Sequence, residues 1–386
     1  MRTAPREEAE AAWKALERRV GSGELTCSWD WTGTWLRHYG DVVPHCFALG
    51  VRGDELCGAT LLTAGVGQRR GRFPLRTRHL GTAGAPPGTD VYVERNRLLA
   101  AKKDLFPFAA ALLKALRADR GWDELRLDGF ALPDAGCLLA AEPGLRPRVE
   151  SCPTADLRGI REGKGDVIEA LRPGPRRRVR RSLRGFGQVE TEWAETSEAA
   201  LAIFNELVKL HGARWRAAGM PGAFASRRLL GFHREIIARL VPRERAILFR
   251  VRADGRTIAC LYSHVERGRV LFYQGGLERV DDGKLKPGLV GHALCMQACL
   301  ERGLDVYDFL AGNHRYKREL SDDESKLVWA TMPARQPRAM ALEAASRVKR
   351  LARRTVSSGV RGDWRSVLSA ERAMPHGRRS AVVPGR

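Results

Sequence analysis

Ten residues late in the chain, DFLAGNHRYK (Asp308 to Lys317), bring Asp308, Asn313, His314, Arg315, Tyr316 and Lys317 together just after an apolar run that reads as a strand. Crevices at strand ends are frequent ligand sites. There Lys317 could hold a developing oxyanion or a phosphate. Tyr316 or His314 could move a proton, with Asp308 as a further candidate. The plain alternative is a loop whose polar groups are solvated or cap nearby backbone.

A second group precedes it. The run RVLFYQGG (Arg269 to Gly276) reads as a strand ending in two glycines, and it carries Phe272, Tyr273, Gln274, Gly275 and Gly276. A polar loop follows, then Pro287 and Gly288, which suit a helix start. The unpaired N–H groups and partial positive charge of such a start make a place for phosphate, and Lys284 and Lys286 add charge beside it. A strand-to-helix connection with solvated lysines would look the same. Six arginines in nine positions, Arg176 to Arg184, suit an anionic substrate, nucleic acid or an anionic membrane, or simply a solvated helix. Arg176 and Arg180 on this run, and Arg214 and Trp215 at the end of LVKLHGARW, are the candidate acceptor contacts. Trp215 reads equally as a core anchor.

These residues need a scaffold. The chain has 386 residues, 44% of them hydrophobic and 29% charged, enough for two cores. No apolar run approaches a membrane span, and the N-terminus has no secretory pattern, so a cytoplasmic protein is expected. The formal charge is +22, carried mostly by Arg, and it permits polyanion binding without requiring it. Eight cysteines form no CxxC pair, so reduced thiols and no metal are expected. The sequence has no GxSxG, GxxxxGK[ST] or HExxH, and no GxGxxG after a strand, so a hydrolase triad, a nucleotide-hydrolysing loop and a dinucleotide fold lose weight.

An internal repeat organises the rest. CFALGVRGDELCGATLL (Cys46 to Leu62) and AILFRVRADGRTIACLY (Ala246 to Tyr262) both read as hairpins turning at Gly and Asp. An offset of 200 aligns Val51, Arg52, Asp54, Ala59 and Leu61 with identical residues. Each hairpin is followed by a further strand, a helix (105–120 and 289–302) and another strand. Two more helices are expected over 197–214 and 228–240. The division is therefore 1–150, 151–333 and a basic tail, 334–386, partly helical or disordered, which could touch an anionic membrane surface.

SWDWTGTWLRHYG, RRRVRR, LHGARW, FYQGG, the KPG helix start and DFLAGNHRYK occur in that order. Over 28–333 the chain resembles GNAT-superfamily acyltransferases of the CelD/BcsL type, and it is similar to Fem-type peptidyltransferases with two GNAT-like units. The resemblance implies an α+β fold of two tandem GNAT-like units, each a mixed β-sheet flanked by helices. It also implies an acyl thioester, acetyl-CoA or another acyl-CoA, between splayed strands. The strand Phe272–Gly276 would take the pantetheine arm. Lys284, Lys286 and Gly288 would take the pyrophosphate, although the usual Arg/Gln-x-x-Gly-x-Gly/Ala signature is absent. Lys317 would stabilise charge, Asp308 or His314 would assist deprotonation, and Tyr316 would protonate the thiolate. The first unit is expected to be structural or acceptor-binding.

The expected activity is acyl transfer to an amine or hydroxyl, on a small molecule or polysaccharide precursor, with a position at the inner membrane face as an option. Two alternatives stand. One is an aminoacyl-tRNA-dependent transferase that holds RNA on the arginine run. The other is a non-catalytic scaffold binding a membrane or a biosynthetic complex.

Overall fold

A computed structural model describes residues 6–345 apart from 22 and 164. The tail beyond 345, including most of the expected basic appendix, lies outside the described residues. Residues up to Met340 form one unit.

In the first half the elements are α1 (Arg6–Val20), α2 (Trp29–Tyr39), β1 (His45–Arg52), β2 (Glu55–Ala64), β3 (Thr77–Leu80), α3 (Leu105–Ala118), β4 (Glu124–Ala131), α4 (Leu132–Ala141) and β5 (Arg146–Asp156). A bridging stretch follows: α5 (Leu157–Glu162), α6 (Val167–Ala170), α7 (Pro173–Phe186) and β6 (Val189–Trp193). The second half runs α8 (Ser197–Ala217), α9 (Arg227–Leu240), β7 (Ala246–Ala253), β8 (Arg256–Glu266), β9 (Arg269–Leu277), α10 (Pro287–Glu301), β10 (Val306–Asp308), α11 (Arg315–Glu319) and β11 (Asp323–Pro333). Side-chain oxygens of Ser28, Thr196 and Ser226 accept backbone N–H groups at the starts of α2, α8 and α9, which satisfies donors the helices leave open.

The expected α+β fold is observed. From α2 to β5 and from α9 to β11 the elements repeat in the same order. One mixed sheet holds both copies, in the order β1-β2-β3-β4-β11-β5-β10-β9-β8-β7-β6. In each copy a hairpin is followed by a third strand and a fourth parallel to it. The fifth strands are exchanged: β11 pairs with β4, and β5 pairs with β10. These two strands also pair with each other, from Arg146↔Thr331 to Thr154↔Asp323. The halves thus share a sheet seam.

The hairpins correct the offset of 200. His45↔Thr63 corresponds to Ala246↔His264, and the register breaks after Gly50 in one hairpin and after Val251 in the other. Pairings and breaks coincide at an offset of 201. Because strand side chains alternate faces, the one-residue difference places the identical residues on opposite faces.

One face of the sheet is covered by α1, α2, α8 and α9. Their core runs across both halves, from Trp13, Trp35 and Phe47 to Phe204, Phe232 and Tyr262. On the opposite face α10 and α7 cover the second half, burying Val290, Met296 and Val179 against Phe249 and Tyr307. A third cluster, with Phe108, Leu112 and Phe130, lies under α3 and α4.

Candidate active site

The parallel strands β9 and β10 stay together for three residue pairs, from Arg269↔Val306 to Leu271↔Asp308. Beyond that point β9 continues to Leu277 with β8 as its partner, and the chain of β10 turns away. A wedge opens between them. The register of β9 against β8 breaks at Tyr273, which has no opposite number between the Ser263↔Phe272 and Tyr262↔Gln274 pairs. Such a bulge bends a strand and re-aims its side chains. Phe272 packs on His292 of α10, with centroids 4.5 Å apart, while Tyr273 lies on His233 of α9 at 4.8 Å, on the opposite face. The Gly275 N–H donates to its neighbour's Gln274 Oε1 at 3.1 Å. Gly276 needs its missing side chain, since a Cβ there would stand 2.6 Å from the Leu207 carbonyl oxygen of α8.

The helix start lies beyond the mouth of the wedge. Pro287 occupies the first turn of α10, and Lys286 supplies no side-chain cap. The Gly288 and Leu289 N–H groups have no acceptor among the described residues, so the positive end of a 15-residue helix stands open. Ser182 of α7 fixes the approach by accepting the Lys286 N–H at 3.1 Å.

Asp308 ends β10 as a fully buried carboxylate. Oδ1 accepts the Leu310 N–H at 2.8 Å, and Oδ2 accepts from Arg269 and Ser325, each at 3.2 Å. Burial raises its pKa, with Arg95 and Arg269 opposing. The chain then turns through Leu310 at φ 56°, a strained value for a branched side chain. Lys317 accounts for the strain. Its buried ammonium donates to the carbonyls of Phe309 (2.6 Å), Leu310 (3.2 Å) and Ala311 (2.7 Å), so three protons meet three carbonyls.

Tyr316 is stacked between two histidines: His292 at 5.3 Å and His314 at 5.8 Å. Burial pushes its phenol above the usual range, and nearby Arg214 pulls it down in part. The His292 Nδ1 meets the Tyr307 hydroxyl at 3.1 Å, and burial together with Lys317 lowers this imidazole to about 3, keeping it neutral. His292 was not among the residues picked from the sequence. A histidine inside the helix LVGHALCMQACL, apolar but for it and Gln297, was the available signal.

Residues 176–318, from α7 to α11, match the profile of an acetyltransferase (GNAT) domain. FemX resembles the chain with TM-score 0.54 at 13% identity, over 86% of this chain and 97% of that one. The C-terminal domain of a candidate lysylphosphatidylglycerol synthetase from Agrobacterium fabrum gives 0.52 at 13%, over 88% and 96%. The structure of L-PGS from Bacillus licheniformis gives 0.51 at 10%, over 88% and 95%. At such identities the likeness is one of fold. No curated protein sequence matches the chain.

Around the wedge the structure gathers Phe272, Tyr273, Gln274, Gly275, Gly276, Asp308, His314, Tyr316 and Lys317, with Arg214 near Tyr316. Lys286 and Gly288 mark the helix start. Other candidates are engaged elsewhere. Arg176 and Arg180 both pair with Glu169. Trp215 donates from Nε1 to His211 Nε2 at 2.8 Å and lies against Gly222. Lys284 is exposed, on a turn closed by its own N–H to Asp282. On α7 the exposed Arg177, Arg181 and Arg184 have no ion-pair partner among the described residues and fall on one helix face.

The first half has its own splayed pair, β3 and β4, parallel from Thr77↔Glu124 to His79↔Arg126. There the gap is filled by the chain itself. The Asn96 N–H donates to Gly129 O (2.8 Å), its carbonyl accepts the Ala131 N–H (3.1 Å), and its side-chain Nδ2 donates to Leu80 O (2.8 Å). Beside this plug lies a half-buried acid cluster. His79 Nδ1 meets Asp128 at 2.7 Å. Burial lifts Asp90 to about 6, against the pull of His79. A carboxyl held above its unfolded value stabilises the fold below the unfolded pKa, and that stability is lost as pH rises through the folded pKa. Asp90→Asn should therefore match the parent near pH 4 and become more stable than it by about 1–2 kcal/mol at pH 7, after allowing for partial exposure. Urea midpoints across pH 4–7.5 check this. A difference independent of pH would contradict it.

Proposed function

We propose that the protein transfers an acyl group from a CoA thioester to an amine or hydroxyl acceptor. The wedge between β9 and β10 carries this reading. Its strand edge lacks a partner beyond Leu271, it is bulged at Tyr273, and it leads to an uncapped helix start. An extended amide-bearing arm ending in phosphates fits that set of groups. When bound, the thioester supplies an activated carbonyl.

The chain's own groups would do the rest. The Gly275 N–H can turn from Gln274 to hold the carbonyl. The Gly288 and Leu289 N–H groups, Lys286 and Lys284 would hold the pyrophosphate. Tyr316, kept protonated by burial, can give its proton to the departing sulfur, and His314 stacked on it can take one from the acceptor. Lys317 and Asp308 shape the loop at the inner end. Acid–base help of this kind contributes roughly 10²- to 10⁴-fold, and orientation contributes the larger share. An acceptor in polysaccharide or envelope synthesis, as in CelD/BcsL proteins, and a cytoplasmic site remain part of this proposal.

Calorimetric titration with acetyl-CoA tests it. One molecule should bind per chain, because Asn96 occupies the first wedge. Absence of binding to acetyl-CoA and longer acyl-CoAs would overturn it. The row Arg177, Arg181 and Arg184 beside the helix start favours a second reading, an aminoacyl-tRNA donor. That reading requires RNA affinity falling steeply with salt. Liposome binding with no donor bound would instead favour a scaffold.

A further inference from the structure

Besides β5, which pairs with β10, the first half reaches the wedge through a short segment, Tyr92 to Asn96. Its far end is tied down by Asn96 within the first wedge. Gly129, at φ 62°, makes room there for the Val93 carbonyl, which a Cβ would meet at 2.4 Å. The near end touches each part that frames the inner end of the second wedge. The Tyr92 backbone lies near enough to the Tyr273 phenol at the bulge to favour its ionised form. Glu94 Oε2 accepts the Ala311 N–H at 2.9 Å, on the loop that Lys317 holds. Arg95 stands 3.5 Å from Asp308.

Between these anchors the Tyr92 ring is 58% exposed, although its neighbours Val91 and Val93 are buried. An aromatic ring with few rotatable bonds offers contact area at low entropic cost. Its face attracts cations, and the Glu94 carboxylate two residues away attracts them as well. Resting on the acyl-transfer reading above, we propose that Tyr92 and Glu94 form the acceptor wall of the wedge and select an acceptor bearing a primary amine over its hydroxyl counterpart. The half without an open wedge of its own would then set the specificity of the half that has one.

Glucosamine, lysine and spermidine, each compared with a hydroxyl analogue, serve as probes for binding by calorimetry and for acetyl-CoA-dependent thiol release. The parent protein should bind and acetylate amines at least tenfold better than the hydroxyl forms. Tyr92→Ala and Glu94→Gln should each raise the amine KM about tenfold, while Tyr92→Phe keeps it near the parent value. Glu94→Gln retains an oxygen for the Ala311 N–H, so the loop should stay in place. The acetyl-CoA Kd should move less than twofold in all three variants. Unchanged amine KM in Tyr92→Ala, equal use of hydroxyl analogues, or no binding or acetylation of any amine by a protein that binds acetyl-CoA would overturn the acceptor wall alone. Failure of the parent protein to bind acetyl-CoA would overturn the acyl-transfer reading on which it rests.

Discussion

Lys317→Met should cost about 3–5 kcal/mol of stability, because it strands three buried carbonyls that now share one ammonium. A loss of that size lowers the melting temperature by roughly 5–10 °C. Lys317→Arg should not restore it. A planar guanidinium spreads its donors in a fork, whereas the carbonyls of Phe309, Leu310 and Ala311 converge on a point. With the loop released, Leu310 should leave φ 56°, and Ala311 should lose its register with Glu94. Activity should then fall in parallel with stability, and less steeply at low temperature. Thermal melts and turnover at 10 and 30 °C separate the possibilities. An unchanged melting temperature with a hundredfold fall in kcat would instead place Lys317 among the groups that touch the reacting atoms.

Gly276→Val should weaken acetyl-CoA binding at least tenfold and destabilise the fold by about 1–3 kcal/mol. The Cβ would meet the Leu207 oxygen, Cα and carbonyl carbon at 2.6, 2.8 and 3.1 Å, all backbone atoms of α8 that cannot rotate aside. Strand β9 and α8 must separate, and the strand edge beside the wedge moves with them. Gly283→Ala is the matched control. It lies in the loop before α10 with open space around its Cα, and it should leave both binding and stability within error. Equal behaviour of the two variants would show that the close approach of β9 to α8 does not shape the site.

Both predictions concern residues that stand out in the sequence, yet for reasons the sequence does not display. FYQGG reads as a strand ending in glycines, and that is so. Which glycine is required depends on the helix that crosses it. DFLAGNHRYK reads as a polar cluster at a strand end, and that is also so. The lysine is nevertheless turned inward onto its own loop, since three carbonyls freed by the turn at Leu310 offer it more than water does once buried. The arginine run reads as uniformly basic. Folding divides it into residues paired with Glu169 and Glu319 and an exposed row of Arg177, Arg181 and Arg184. Tyr92 and Glu94 carried no signal at all, because their neighbours in sequence are loop residues and their partners lie some 180 to 220 residues away.

Local patterning was enough to determine the two hairpins, the strand, helix and strand that follow each, the helices over 197–214 and 228–240, and the repeated order of these elements. Alternation with a period of two, helical spacing, Gly–Asp turns and a Pro–Gly helix start are all written within a few residues of one another. Tertiary structure alone decided that the fifth strands change places, that the first wedge is closed by Asn96, and that one segment of the first half lies along the wedge of the second. Those outcomes depend on which distant backbone edges pair and which polar groups are left to satisfy once they have done so. No window of neighbouring residues contains that information.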